Sequence, residues 1–76
     1  MELRVLKYFI TIAQEQNISR ASELIHITQP TLSRQIIELE EELGTRLFER
    51  NRQNRRFILT DDGVRFYNYA LQITEL

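Results

Sequence analysis

Apolar residues recur at helical spacing from the start of the chain. Leu3, Leu6, Phe9, Ile10 and Ala13 form one stripe of a helix predicted from Glu2 to about Gln16. Val5, Tyr8 and Ile12 make a second stripe on another face, which a helix resting on a single surface does not need. Asn17 interrupts the pattern, and Ser19 is the expected N-cap of a short second helix ending near Ile25. His26 and Ile27 connect it to a third helix capped by Thr28. Pro30, the chain's one proline, falls in the first turn of that helix, where its missing N–H has no intrahelical partner to lose. Leu32, Ile36, Leu39 and Leu43 lie within about 40° of a common direction and make the core stripe. Gly44 suits the left-handed residue that closes the helix.

After Gly44 the period changes. Leu47-Phe48-Glu49-Arg50 and Phe57-Ile58-Leu59 read as two short strands around a polar, basic turn. That turn has no glycine, but Asn51 and Asn54 tolerate left-handed conformations. Thr60 is the expected cap of a fourth helix, with Asp61 and Asp62 at the positive end of its dipole. Gly63 reads as a mild cost to that helix. Val64, Phe66, Tyr67, Tyr69, Ala70, Leu71 and Ile73 carry it onward, and no C-cap signal precedes Leu76. The expectation is a helix that continues in a longer protein. The fold class predicted is mainly α with a small β-hairpin, and the tight spacing of helices two and three fits a helix-turn-helix.

Length and composition narrow the functions available. Seventy-six residues suit one small domain, and 42% apolar residues suffice for a modest core. With no cysteine and a single histidine, His26, neither a disulfide framework nor a metal site is expected. Nothing resembles a signal peptide and no apolar run approaches the ~20 residues of a membrane span, so a soluble, cytoplasmic protein with no membrane partner is expected. No catalytic residues are assigned: there is no carboxylate pair in an apolar setting, no nucleophile beside a base and no phosphate-cradling glycine loop.

The net charge of -1 conceals a segregation. Arg46, Arg50, Arg52, Arg55 and Arg56 are opposed within their stretch by Glu49 alone, while Glu38, Glu40, Glu41 and Glu42 crowd the end of the third helix. That acidic run reads as a solvated face. Opposite the core stripe of the same helix lie Pro30, Arg34, Ile37 and Glu41, with Ser33 at the edge. This face opens with short, hydrogen-bonding residues and ends acidic, so a phosphodiester backbone is accepted at the amino-terminal turn and repelled from the far end. Thr31 and Ser33 are small enough for close approach to a groove. Gln29 can pair with an adenine edge and Arg34 with a guanine edge. Ile37 is the one residue of this face that favours a protein partner instead. The phenylalanines, at helical or strand spacing beside other apolar residues, read as core and not as base-stacking platforms.

The stretch ISRASELIHITQPTLSRQIIELEEELGTRLFER, the opening MELRVLKYFITIA and the LTDDG at residues 59–63 resemble the amino-terminal DNA-binding domain of LysR-type transcriptional regulators. The likeness covers essentially the whole chain. It implies a winged helix-turn-helix at 1–59, with the helix-turn-helix at about 18–37 and the wing at about 46–59. Residues 60–76 would begin a long linker helix that forms dimers. By the same resemblance, Gln29, Pro30, Ser33 and Arg34 stand at the major groove, with Thr28 and Thr31 flanking them. Arg20 and Arg50 match phosphate-contacting positions, and Arg52, Arg55 and Arg56 belong to the wing. Expected partners are double-stranded promoter DNA with a dyad-symmetric site and a second copy of the chain, with a higher oligomer in the full-length protein. No cofactor is expected in this domain; the family's small-molecule effector binds a carboxy-terminal domain that this chain lacks.

The fourth helix carries two apolar stripes, Val64, Tyr67 and Leu71, and Phe66, Ala70 and Ile73. With Val5, Tyr8 and Ile12 they exceed what one small domain covers. A two-fold dimer is therefore expected through Val5, Tyr8, Ile12, Val64, Tyr67, Ala70, Leu71 and Ile73.

Overall fold

In a computed structural model, which describes residues 1–51 and 56–75, the chain folds as α1 (Leu3–Glu15), α2 (Ile18–Ile25), α3 (Gln29–Leu43), β1 (Phe48–Asn51), β2 (Arg56–Leu59) and α4 (Asp61–Thr74). The expected mainly α architecture with one hairpin is present. The strands pair antiparallel, Phe48 opposite Leu59 and Asn51 opposite Arg56. Leu47, expected in the first strand, precedes it and is fully buried.

Phe9 of α1 is the centre of the core. Its ring lies 5.3 Å from Phe48, 5.1 Å from Phe66 and 6.3 Å from Tyr67, and Phe48 lies 5.5 Å from Phe57. These tilted and edge-on contacts join α1, the hairpin and α4. Leu32, Ile36 and Leu39 fill the core from α3 as the stripe requires, with Leu43 packed at its border.

One helix cap departs from expectation. Asn17, not Ser19, caps α2: its side chain accepts from the Arg20 N–H at 2.9 Å, so the helix begins at Ile18. Ser19 is already helical. The turns after α1 and α2 are made by Gln16 (φ 55°) and by His26 (φ 67°), left-handed positions that usually call for glycine or asparagine. His26, the expected connector, is exposed. Thr28, Gly44 and Thr60 cap as expected, with Gly44 at φ 73°.

The turn at 44–47 is bolted to the start of α4. Thr60 donates from its hydroxyl to the Arg46 carbonyl at 2.6 Å and from its N–H to the Leu47 carbonyl at 2.9 Å. Thr45 donates to the Asp62 carboxylate, which also pairs with Arg65. The Thr45 bond first, then Arg65, holds the Asp62 carboxyl below its ordinary range. Gly63 is therefore no mild cost. A Cβ there would stand 2.1 Å from the Leu47 carbonyl oxygen and 3.1 Å from its carbon. Backbone cannot yield as a side chain can. Gly63→Ala, which in an open helix gains about 1 kcal/mol, is expected to lose about 1–3 kcal/mol here; urea unfolding measures the sign directly.

Candidate nucleic-acid interface

The α2–turn–α3 unit presents one exposed face of α3. Gln29, Pro30, Arg34, Ile37, Glu38 and Glu41 are exposed, Thr31 and Ser33 half-buried. The loop and first turn of α3 are fixed by their own side chains. Thr28 Oγ1 accepts from the Thr31 N–H at 3.4 Å and donates to the Thr31 hydroxyl at 2.9 Å. Gln29 Nε2 donates to Ser19 Oγ at 2.7 Å, tying α3 to α2. That bond uses one of the amide's two N–H groups and leaves the other, with the carbonyl oxygen, for an outside partner.

The cations differ in how far they are already committed. Arg20 Nε meets Glu15 at 3.0 Å, but the arginine is 69% exposed, so this surface pair is weak and exchangeable. Arg56 donates to Gln16 Oε1 at 3.1 Å, where β2 also bridges Asn17 and the Phe57 N–H reaches the Gln16 carbonyl at 3.1 Å. Arg34 and Arg46 are exposed and make no ion pair among the described residues. Arg46 belongs to the basic stretch evident in the sequence, yet its spacing assigned it no role. Its position across a shallow groove from Ser33 and Ile37 is a product of the 44–47 turn. Arg52 and Arg55 lie outside the described residues, as do the turn residues around them.

Arg50 is the most committed of all. Its guanidinium meets Glu40 at 2.8 Å and lies 5.1 Å from the centre of the Phe57 ring. The expected solvated acidic face is thus wrong for one member: Glu40 is 7% exposed. Its Oε2 accepts from the Leu47 and Phe48 N–H groups at 2.7 and 3.3 Å, and its Oε1 from Arg50. A carboxylate at the rim of the core stripe, four residues after Ile36, is the signal that was there to read. Glu38, Glu41 and Glu42 are exposed as expected.

The apolar stripes are divided differently from expectation. Val5, Ile12 and Ala70 are buried within the chain as members of its own core, so they offer no surface to a second copy. Tyr8 and Tyr67 are half-buried against the core, and the Tyr67 hydroxyl accepts from Gln14 at 3.4 Å. What α4 leaves open is Val64, Tyr69 and Ile73, with Leu71 half-covered. Among the described residues no helix is long and apolar enough to cross a membrane.

The family model of the bacterial regulatory helix-turn-helix protein, lysR family, matches residues 3–64. The chain belongs to the LysR family. It is a LysR-type helix-turn-helix DNA-binding domain, of a family of transcriptional regulators and not of enzymes. It is 49% identical to the HTH-type transcriptional regulator BsdA of Bacillus subtilis (strain 168) over 96% of its own length and 25% of that protein's. It therefore spans about a quarter of the length of that relative and of CatR from Pseudomonas putida, also 49% identical. Among solved structures, the complex of the BenM DNA-binding domain with benA site 1 DNA matches with a TM-score of 0.91 at 45% identity, covering 99% of this chain and 85% of that one. The LysR-type winged helix is thus both the sequence family and the fold.

Within this LysR-type domain the Glu40 carboxylate is the joint between α3 and the wing. Glu40→Ala leaves two backbone donors and the Arg50 cation uncompensated, and should cost about 3–5 kcal/mol. Denaturant unfolding checks this, and an Arg50→Met partner in a double-mutant cycle should show strong coupling.

Proposed function

We propose that this domain binds double-stranded promoter DNA, with the first turns of α3 in the major groove and the hairpin at the minor groove. The observation that carries the reading is the graded face of α3. Its amino-terminal turn is small, capped and positive, with Arg34 in no ion pair among the described residues, and its far end carries Glu38, Glu41 and Glu42 exposed. The DNA held by the BenM domain in its complex supports the same partner class. Gln29, Pro30, Ser33 and Arg34 read base edges; Thr28, Thr31 and Arg20 contact phosphate or the groove edge. Arg46 joins them. Arg50 contacts DNA only with donors that Glu40 leaves over, while Arg52, Arg55 and Arg56 supply the wing's charge. The full-length protein acts in the cytoplasm, with a small-molecule effector held by a further domain and no cofactor in this one.

A mobility shift on DNA upstream of the chain's own gene, at two salt concentrations, tests the reading. Specific retention is expected, and binding without preference over unrelated DNA would overturn it. Arg34→Ala should cost about 1–3 kcal/mol and relax one base pair per half-site, whereas uniform weakening would reassign Arg34 to phosphate. Replacing Arg52 and Arg55 together by alanine should flatten the log-affinity against log-salt slope by roughly 0.9 for each phosphate that is no longer neutralised.

The regulator also pairs with a second copy, by the part of α4 that its own core leaves open, and two α3 helices then face a dyad-symmetric site. Val64 is 47% exposed and lies outside the core, so it is the site to test. Val64→Glu should turn a sedimenting dimer into a monomer whose melt matches that of the parent diluted below its dimer range; a chain that is monomeric up to millimolar concentration, and on DNA, would overturn the pairing.

A further inference from the structure

Ile37 is 45% exposed on the face of α3 that otherwise carries Gln29, Pro30, Ser33 and Arg34. A single exposed isoleucine needs no explanation by itself. Its position does. Ser33 and Arg34 precede it by one turn, and Glu41 follows by one turn. Across a groove of about 590 Å³ stand Thr45 and Arg46. Arg34 and Arg46, which make no ion pair among the described residues, thus flank the isoleucine from two sides. A duplex held by both covers Ile37. Beyond it the exposed Glu41 carboxylate repels the phosphate backbone, so Ile37 is the last side chain of α3 that a groove accepts.

Hydrocarbon has one counterpart on a major-groove edge. Guanine, adenine and cytosine present polar groups there, which lose water against an isoleucine and gain no hydrogen bond; thymine presents its C5 methyl. We propose that Ile37 is a specificity-determining residue that reads the methyl group of one thymine in each half-site. The inference rests on the DNA-binding reading above, and it names a base that neither Gln29 nor Arg34 selects.

The test begins with selection of duplexes from a randomised library by the 76-residue chain. In the selected duplex each thymine is then replaced, one at a time, by deoxyuridine, which removes the methyl and keeps every pairing hydrogen bond. At one position per half-site the replacement should weaken binding by about fourfold, the effect of one buried methyl-sized group. In Ile37→Ala that sensitivity should vanish, while the base preference that depends on Arg34 is retained; Ile37→Val should keep part of it. Because the side chain is outside the core, the melt of each variant should match the parent. Failure to enrich any sequence would overturn the DNA-binding reading itself. Enrichment with no methyl-sensitive thymine, or with a sensitivity that persists in Ile37→Ala, would overturn this inference alone and leave Ile37 for a protein contact.

Discussion

The geometry of this domain hangs on one buried carboxylate. Glu40 leaves α3 at its last turn and is met by two backbone N–H groups and one guanidinium, all from Leu47 to Arg50 at the start of the hairpin. A charge at 7% exposure is tolerated only because each oxygen has donors. The bond set does more than satisfy the acid. It fixes where Leu47 and Phe48 enter the core, and so where the wing begins relative to the face of α3.

From that joint two other contacts follow. Leu47, once placed, offers its carbonyl to Thr60 and its backbone to Gly63, which sets the direction of α4. Phe48, once placed, stacks against Phe9 and Phe57, which closes the hairpin onto α1. The far strand is held independently through Gln16 and Asn17 at the α1–α2 junction. The wing base is therefore held from both sides, by α3 through β1 and by the α1–α2 turn through β2. The base of the hairpin is thereby fixed in position relative to α3.

The distribution of charge follows the same logic. Arginines near the core are neutralised by the protein itself, as Arg50 is by Glu40, while Arg34 and Arg46 are left to the outside. Glu38, Glu41 and Glu42 place exposed negative charge toward the far end of α3. A net charge near zero is thus compatible with a positive, sharply bounded contact area.

The sequence by itself determined the number and order of elements, the core stripe of α3, the caps Thr28, Gly44 and Thr60, and the exposed face from Pro30 to Glu41. These follow from local periodicity and from short-range hydrogen bonding, which act within a few residues and leave a readable pattern. The sequence also carried the family, through residues spread along the whole chain. What only the tertiary structure decided involves partners distant in the chain. Gly63 looked like a helix cost until Leu47 was set against it, sixteen residues away. Glu40 looked solvated until the turn at 44–50 folded back on it. Val5, Ile12 and Ala70 looked available to a second copy until the chain's own elements closed over them. Ser19 was displaced as a cap by Asn17, a local contest between two good capping residues that the bridge from Asn17 to Arg56 helps to settle. Composition and spacing say which side chains are apolar or charged; only the packing of one element on another says which of them still face water.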